Sequence, residues 1–132
     1  MKRYLFVITM FLTLVFTSSV FAESSPWAAG NIEKAVSLNI ISDDMALKSK
    51  ENVTRLEFCY MAVNFYRLFT GNSEITLAGS PFFDINDSAV NKCYELGIIS
   101  GIEKNLFGAN GYITREQMSG LLISTLKACG SE

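Results

Sequence analysis

Apolar residues in this chain recur at helical spacing in four separate stretches. The pattern predicts a short helix over about 26–38 and a longer helix over about 54–70 in the first half. It predicts a second pair of helices over about 88–96 and 114–129 in the other half. No run alternates cleanly enough for a sheet, so the predicted fold is all-α, a small helical bundle.

The residues expected to face the core share one side of each predicted helix. They are Ile32, Ala35, Val36 and Leu38; Phe58, Met61, Ala62, Phe65, Leu68 and Phe69; and Met118, Leu121, Leu122 and Leu126. Cys59, Cys93 and Cys129 also stand in apolar helical surroundings. Their odd number and wide spacing give no metal motif, and two interpretations remain: small core residues, or one disulfide with a free thiol.

The two halves repeat each other residue by residue. Ile32, Ala35, Leu38, Ile40, Ile41 and Ser42 match Val90, Cys93, Leu96, Ile98, Ile99 and Ser100 at one fixed offset. Further on, 53–55 matches 113–115, after a two-residue insertion in the second half. Each longer helix opens with a predicted capping box, Thr54 with Glu57 and Thr114 with Gln117. We therefore predict repeats over 23–71 and 83–132 with a linker over 72–82.

These motifs resemble the S-layer homology (SLH) family and cover nearly all of the chain after residue 22. The second half carries Leu96-Gly97-Ile98-Ile99-Ser100-Gly101, Leu106-Phe107-Gly108 and Ile113-Thr114-Arg115-Glu116-Gln117; the first half carries Trp27-Ala28, Leu38-Asn39-Ile40-Ile41 and Val53-Thr54-Arg55-Leu56-Glu57. The resemblance implies tandem helix-loop-helix repeats that bind pyruvylated secondary cell-wall polysaccharide in grooves between repeats, without catalysis. Asp43 or Asp44 replaces the turn glycine of the first repeat, and the second repeat lacks the Trp.

The resemblance also implies the contact residues and partners. The implied ligand-binding positions are Arg55, Arg115, Thr54, Thr114, Trp27 and Gly101, with no catalytic residue, metal or cofactor. The family usually has three repeats and this chain has two, so the implied partners are a wall polysaccharide and, as an alternative, a second copy or another SLH-containing chain. Trp27 has two interpretations, a sugar-stacking face or a core residue, and the core is favoured.

The positions of the two arginines give a physical argument for an anionic ligand that does not depend on the family resemblance. Arg55 and Arg115 stand at the predicted first helical position, where the helix dipole disfavours a cation by ~0.3–1 kcal/mol. An anionic ligand would account for both, because free amides and a guanidinium fork together bind a carboxylate. The alternative is an internal ion pair with Asp43, Asp44 or Asp84.

The first 22 residues are typical of a secretory signal peptide. Lys2 and Arg3 precede an apolar run that ends in a small-residue site at Ala22. Removal of this segment predicts a secreted protein of the cell wall or cell surface with no membrane contact, and the alternative is a retained anchor. The remaining chain has nine Lys and Arg against thirteen Asp and Glu, which argues against a nucleic-acid partner. Histidine is absent, which removes the commonest general base and argues against an enzyme.

Overall fold

The computed structural model describes residues 24–131, which form five helices. These are α1 (Pro26–Ser37), α2 (Asp43–Leu47), α3 (Arg55–Thr70), α4 (Ser88–Glu95) and α5 (Arg115–Ala128). Within that range no strand forms and only isolated bridges occur, so the all-α prediction is confirmed. None of these five helices is long and apolar enough to cross a membrane. The predicted signal peptide, 1–22, lies outside the described residues.

Both longer helices begin with the capping boxes that the sequence predicts. The Thr54 hydroxyl accepts a hydrogen bond from the Glu57 amide, and the Glu57 carboxylate accepts one from the Thr54 amide. Thr114 and Gln117 form the same pair at the start of α5. These bonds satisfy amides that have no partner inside a helix, so the threonines fix where α3 and α5 start.

The core lies between α3 and α4, the two helices in closest contact, and is closed by the segments that follow α4. Its buried residues are Phe58, Cys59, Ala62, Val63, Phe82, Ala89, Val90, Cys93, Ile98, Ile99 and Phe107. Because α3 belongs to the first repeat and α4 to the second, the two halves share one core. Cys59 and Cys93 are fully buried, as small core residues, whereas Cys129 is partly exposed.

Several positions predicted to face the core are exposed, and these predictions were wrong. Leu38, Leu68, Phe69, Leu122 and Leu126 all lie largely at the surface. Trp27, for which the core was favoured, is 82% exposed. The physical reason is that α1 contacts mainly the short α2 and buries no residue, while α5 meets only part of α3. Helical spacing identifies an apolar face but not how much of it another element covers.

The two repeats diverge directly after their paired isoleucines, at Asp43 in the first and Gly101 in the second. A Cβ at position 101 would lie 2.6 Å from the Glu103 carbonyl oxygen and 2.7 Å from that of Leu106. A side chain therefore does not fit in this loop. The first repeat, with Asp43 there, instead forms α2, whose start Ser42 caps by accepting from the Met45 amide.

The turn before this divergence is the same in both repeats. Gly97 follows α4 with φ of 68°, and Asn39 follows α1 with φ of 54°. Asparagine is among the few residues besides glycine that tolerate this left-handed conformation. The repeat symmetry therefore holds through the turn although the residues differ.

Candidate functional site

Arg55, the first residue of α3, reaches from the first repeat into the second. Its Nε donates to the Phe107 carbonyl oxygen at 2.9 Å, and one terminal nitrogen donates to the Ser100 carbonyl oxygen at 2.8 Å. Its backbone amide donates to the Gly111 carbonyl oxygen at 2.9 Å. Guanidinium has five N–H donors, so these two side-chain bonds leave others available. The residue thus holds the junction between the repeats and still presents donors.

The charge of Arg55 is half buried and has no acidic partner among residues 24–131. Its guanidinium carbon lies 4.8 Å from the centre of the Phe107 ring, a cation–π contact. Burial lowers the pKa of Arg55, although arginine stays protonated at any physiological pH. No carboxylate oxygen between residues 24 and 131 comes within 4.0 Å of it. The alternative of an internal ion pair is therefore wrong for Arg55.

Two of the acidic residues considered as its partners, Asp44 and Asp84, have other contacts, and Asp43 makes no ion pair with it. Asp44 pairs with Lys48 at 2.8 Å on the surface of α2. Asp84 accepts from the Phe107 and Gly108 amides at 2.9 Å and 2.8 Å, and these bonds hold the pKa of its carboxyl below the usual value. Asp84 therefore organises the loop whose Phe107 carbonyl receives Arg55, and leaves the arginine charge uncompensated.

A groove of about 540 Å³ opens beside Arg55, which reaches it from the first repeat, while both of its walls belong to the second repeat. One wall is the turn from 97 to 102, and the other is the exposed polar side of α5, with Gln117, Gly120 and Ser124. Arg55 is the only charged side chain among its lining residues in the described structure. Hydroxyl, amide and backbone groups supply the remaining polarity. The groove therefore combines one cation with neutral polar groups, a lining chemically suited to a polar ligand that carries a negative charge.

Gly101 lies in the wall of this groove, and its close contacts explain why no larger residue fits there. The close approach there is internal, to the loop carbonyls of Glu103 and Leu106 and to the Phe82 ring at 3.2 Å. The family resemblance implies that Gly101 is a ligand-binding position. The described contacts show that packing within the loop already requires a glycine here.

The other predicted site residues do not line the groove. Thr54 and Thr114 use their hydroxyls in the helix caps. Arg115 lies exposed at the start of α5, without the loop that covers the start of α3. Trp27 stands on α1, at the surface. The structure therefore brings Arg55 and Gly101 together and leaves the other four elsewhere.

The sequence did not single out several residues that shape the site. Phe107, whose carbonyl and ring both contact Arg55, is fully buried. Ser100 and Gln117 stand in the repeat, capping and family motifs, but none of these motifs marks them as site residues. Ser124 is a polar position on α5 that no motif marks. All four belong to the second repeat, and the packing of the first repeat on it adds Arg55.

Comparison with known proteins finds a family match within the second half of the chain. The family described as S-layer homology domain matches residues 85–119, which confirms the resemblance predicted from the motifs. The match spans α4, the turn and loop that form one groove wall, and the beginning of α5. Arg55 lies outside it.

Two enzymes contain segments similar to this chain. The amylopullulanase of Thermoanaerobacterium thermosulfurigenes is 28% identical over 116 residues, which is 83% of this chain but 6% of the enzyme. Exoglucanase XynX of Acetivibrio thermocellus is 29% identical over 112 residues, 80% of this chain and 10% of that protein. The chain thus spans a small part of both relatives. No solved structure matches it.

Proposed function

From the premise that residues 85–119 are an S-layer homology domain, we propose that this chain is a non-catalytic module that binds anionic, pyruvylated secondary cell-wall polysaccharide. The S-layer homology domain is itself a non-catalytic module for cell-wall anchoring, and proteins that contain it are typically surface-anchored or secreted. The polysaccharide, the contact residues and the secreted state of this chain belong to the proposal.

The observation that supports the proposal is the uncompensated charge of Arg55 at the edge of a polar groove. A half-buried cation loses part of its hydration, so contact with an anion stabilises it more than a fully exposed cation. The internal contacts of Arg55 are to carbonyl oxygens and a ring, and no carboxylate neutralises it among residues 24–131. An acidic ligand in the groove supplies the missing charge.

The groove also fits a sugar. A pyruvate ketal carries one carboxylate, which guanidinium binds through paired N–H donors. Ser100, Gln117 and Ser124 offer hydroxyl, amide and carbonyl groups for sugar hydroxyls, and Leu121 adds an apolar surface for C–H groups. In this proposal Arg55 is the main anion contact. Arg115, exposed at the equivalent position, is a weaker contact outside the groove.

The test compares cell-wall sacculi that retain their secondary polysaccharide with sacculi from which hydrofluoric acid has removed it. We expect residues 23–132 to sediment with the first and stay in solution with the second. Binding should fall with rising salt, because the contact includes a charge pair. Equal sedimentation with both preparations would contradict the proposal.

Two variants locate the contact. Ser124→Ala removes a groove hydroxyl without touching the Arg55 contacts, and we expect about a fivefold to tenfold loss of affinity for one such hydrogen bond. Arg115→Ala is the matched surface control and should change affinity about twofold or less. Circular dichroism confirms that each variant keeps its helices. A larger loss in the control than in Ser124→Ala would place the site at the start of α5 instead.

A second candidate function is self-association, favoured by the uncovered face of α5. Met118, Leu122 and Leu126 line an almost wholly apolar groove of about 430 Å³ together with residues of α3. At the start of α3, the amides of Arg55 and Leu56 donate to carbonyl oxygens of the loop at 109–111. Between residues 24 and 131, no segment makes the corresponding bonds to Arg115 and Glu116 at the start of α5. The proposed occupant is a second copy of this chain.

Light scattering at increasing protein concentration tests this candidate. We expect a dimer that Leu122→Glu returns to a monomer, because a carboxylate on the apolar face is costly to bury. The matched control, Ser119→Glu, adds the same charge at an exposed polar position of the same helix. A wild-type protein that stays monomeric at high concentration would contradict self-association and leave polysaccharide binding unaffected.

A further inference from the structure

Two buried cysteines face each other across the junction between the repeats. Cys59 lies on α3 in the first repeat and Cys93 on α4 in the second, and both are 0% exposed. The Cys93 thiol donates to the Cys59 carbonyl oxygen at 3.5 Å. The contact therefore joins the two helices that form most of the core.

The Cys93 sulfur thus lies against the backbone of Cys59 itself, between two packed helices. Interaction with Cys59 and burial both raise the pKa of the Cys93 thiol. A sulfur atom this close to the backbone of the other cysteine brings the two residues near enough for a disulfide after side-chain adjustment.

We propose that Cys59 and Cys93 form a disulfide bond that cross-links the two repeats when the chain folds in an oxidising compartment. The inference rests on the proposed function in one respect, because export supplies that compartment. The oxidant is a disulfide of low molecular mass or an oxidised dithiol protein. The two cysteines lose two protons and two electrons to form one S–S bond, and the oxidant's disulfide is reduced to two thiols.

The bond forms during folding and is protected afterwards. Only a thiolate attacks a disulfide, so burial and a raised pKa make the folded Cys93 unreactive. Thiol–disulfide exchange with the oxidant therefore takes place during folding, before α3 and α4 have packed together. Once the core has closed, the same burial keeps reductants away from the bond. Cys129, partly exposed directly after α5, stays a free thiol.

The cross-link would hold the proposed polysaccharide groove together. Arg55 lies one helical turn before Cys59 on α3. On the other side, the Cys93 carbonyl oxygen accepts from the Ile98 amide at 2.8 Å, in the turn that forms a groove wall. A covalent bond between the two cysteines therefore fixes the arginine of one repeat against the turn of the other.

The experiment refolds reduced residues 23–132 from denaturant, in parallel, in a glutathione redox buffer and in excess reductant. Acid quenching and alkylation under denaturing conditions then count the free thiols. We expect one thiol in the redox buffer and three in reductant, with a linked Cys59–Cys93 peptide in the mass spectrum. Because the bond closes a 34-residue separation, the midpoint of thermal unfolding should rise by on the order of 10 °C.

Cys129→Ser is the control variant and should give the same linked peptide with no free thiol left. Three free thiols in protein that circular dichroism shows to be helical after oxidative refolding would overturn the inference, as would linkage of Cys129 to either buried cysteine. Sacculus sedimentation of the reduced protein is measured separately. Its outcome tests the proposed function, so the two proposals can fail independently.

Discussion

Gly101→Ala tests the loop packing that distinguishes the second repeat from the first and that shapes the groove wall. The added Cβ would lie 2.6 Å and 2.7 Å from two backbone carbonyl oxygens, those of Glu103 and Leu106. Backbone oxygens cannot rotate away as a side chain can, so the loop has to open. Opening it also weakens the 2.8 Å hydrogen bond from the Ile102 amide to the Leu106 carbonyl.

The expected cost follows from these two effects. Forcing one extra carbon into a packed site costs about 1–3 kcal/mol, and loss of the loop hydrogen bond adds about 0.5–1.5 kcal/mol. We therefore expect the free energy of unfolding to fall by about 1.5–4.5 kcal/mol. Urea denaturation followed by circular dichroism at the helix band measures this change, with an unchanged denaturant dependence as the sign of an intact two-state transition.

Gly120→Ala is the matched control for this prediction. A Cβ at position 120, on α5, meets no atom within 4 Å. Alanine in a helix interior is more stable than glycine by about 0.5–1 kcal/mol, so this variant should be as stable as the wild type or more. The same substitution is thus expected to act in opposite directions at two sites. A Gly101→Ala protein that unfolds at the wild-type urea concentration would refute the packing argument.

Three further predictions follow from named contacts. Arg55→Ala should lower the free energy of unfolding by about 1–3 kcal/mol through loss of its carbonyl and ring contacts, while Arg115→Ala should change it by less than about 0.5 kcal/mol, both by urea denaturation. Thr114→Ala should cost about 1 kcal/mol in the same assay, and Thr114→Ser, which keeps the cap, much less. The folded protein holds the pKa of Asp84 below its unfolded value, so this contribution to stability is complete above about pH 4 and is lost as pH falls further. Unfolding measured from pH 6 to pH 2 should therefore be less pH-dependent in Asp84→Asn than in the wild type, and identical slopes would contradict the assignment.

Local sequence determined the ends of the helices and the repeat. Thr54 and Thr114 cap α3 and α5 because a threonine followed at the third position by Glu or Gln satisfies free amides within one turn. Gly97 ends the α4 segment because its left-handed φ is available to glycine without strain. Such effects involve neighbours in the chain, so they can be predicted without knowledge of the fold.

The tertiary structure decided which apolar faces are covered and which residues meet. Leu122 and Leu126 carry the same spacing as buried residues, yet no helix within 24–131 packs over them. Nor does any local pattern place Arg55 beside Phe107 and Ser100, more than forty positions away. Those contacts depend on how α3 packs against the second repeat, a long-range arrangement that residue spacing alone does not specify. The sequence by itself thus determined four of the five described helices, their approximate ends and the family resemblance, but not the short α2. Only the packing of α3 on the second repeat brings Arg55 to the groove, whose other lining residues all belong to that repeat.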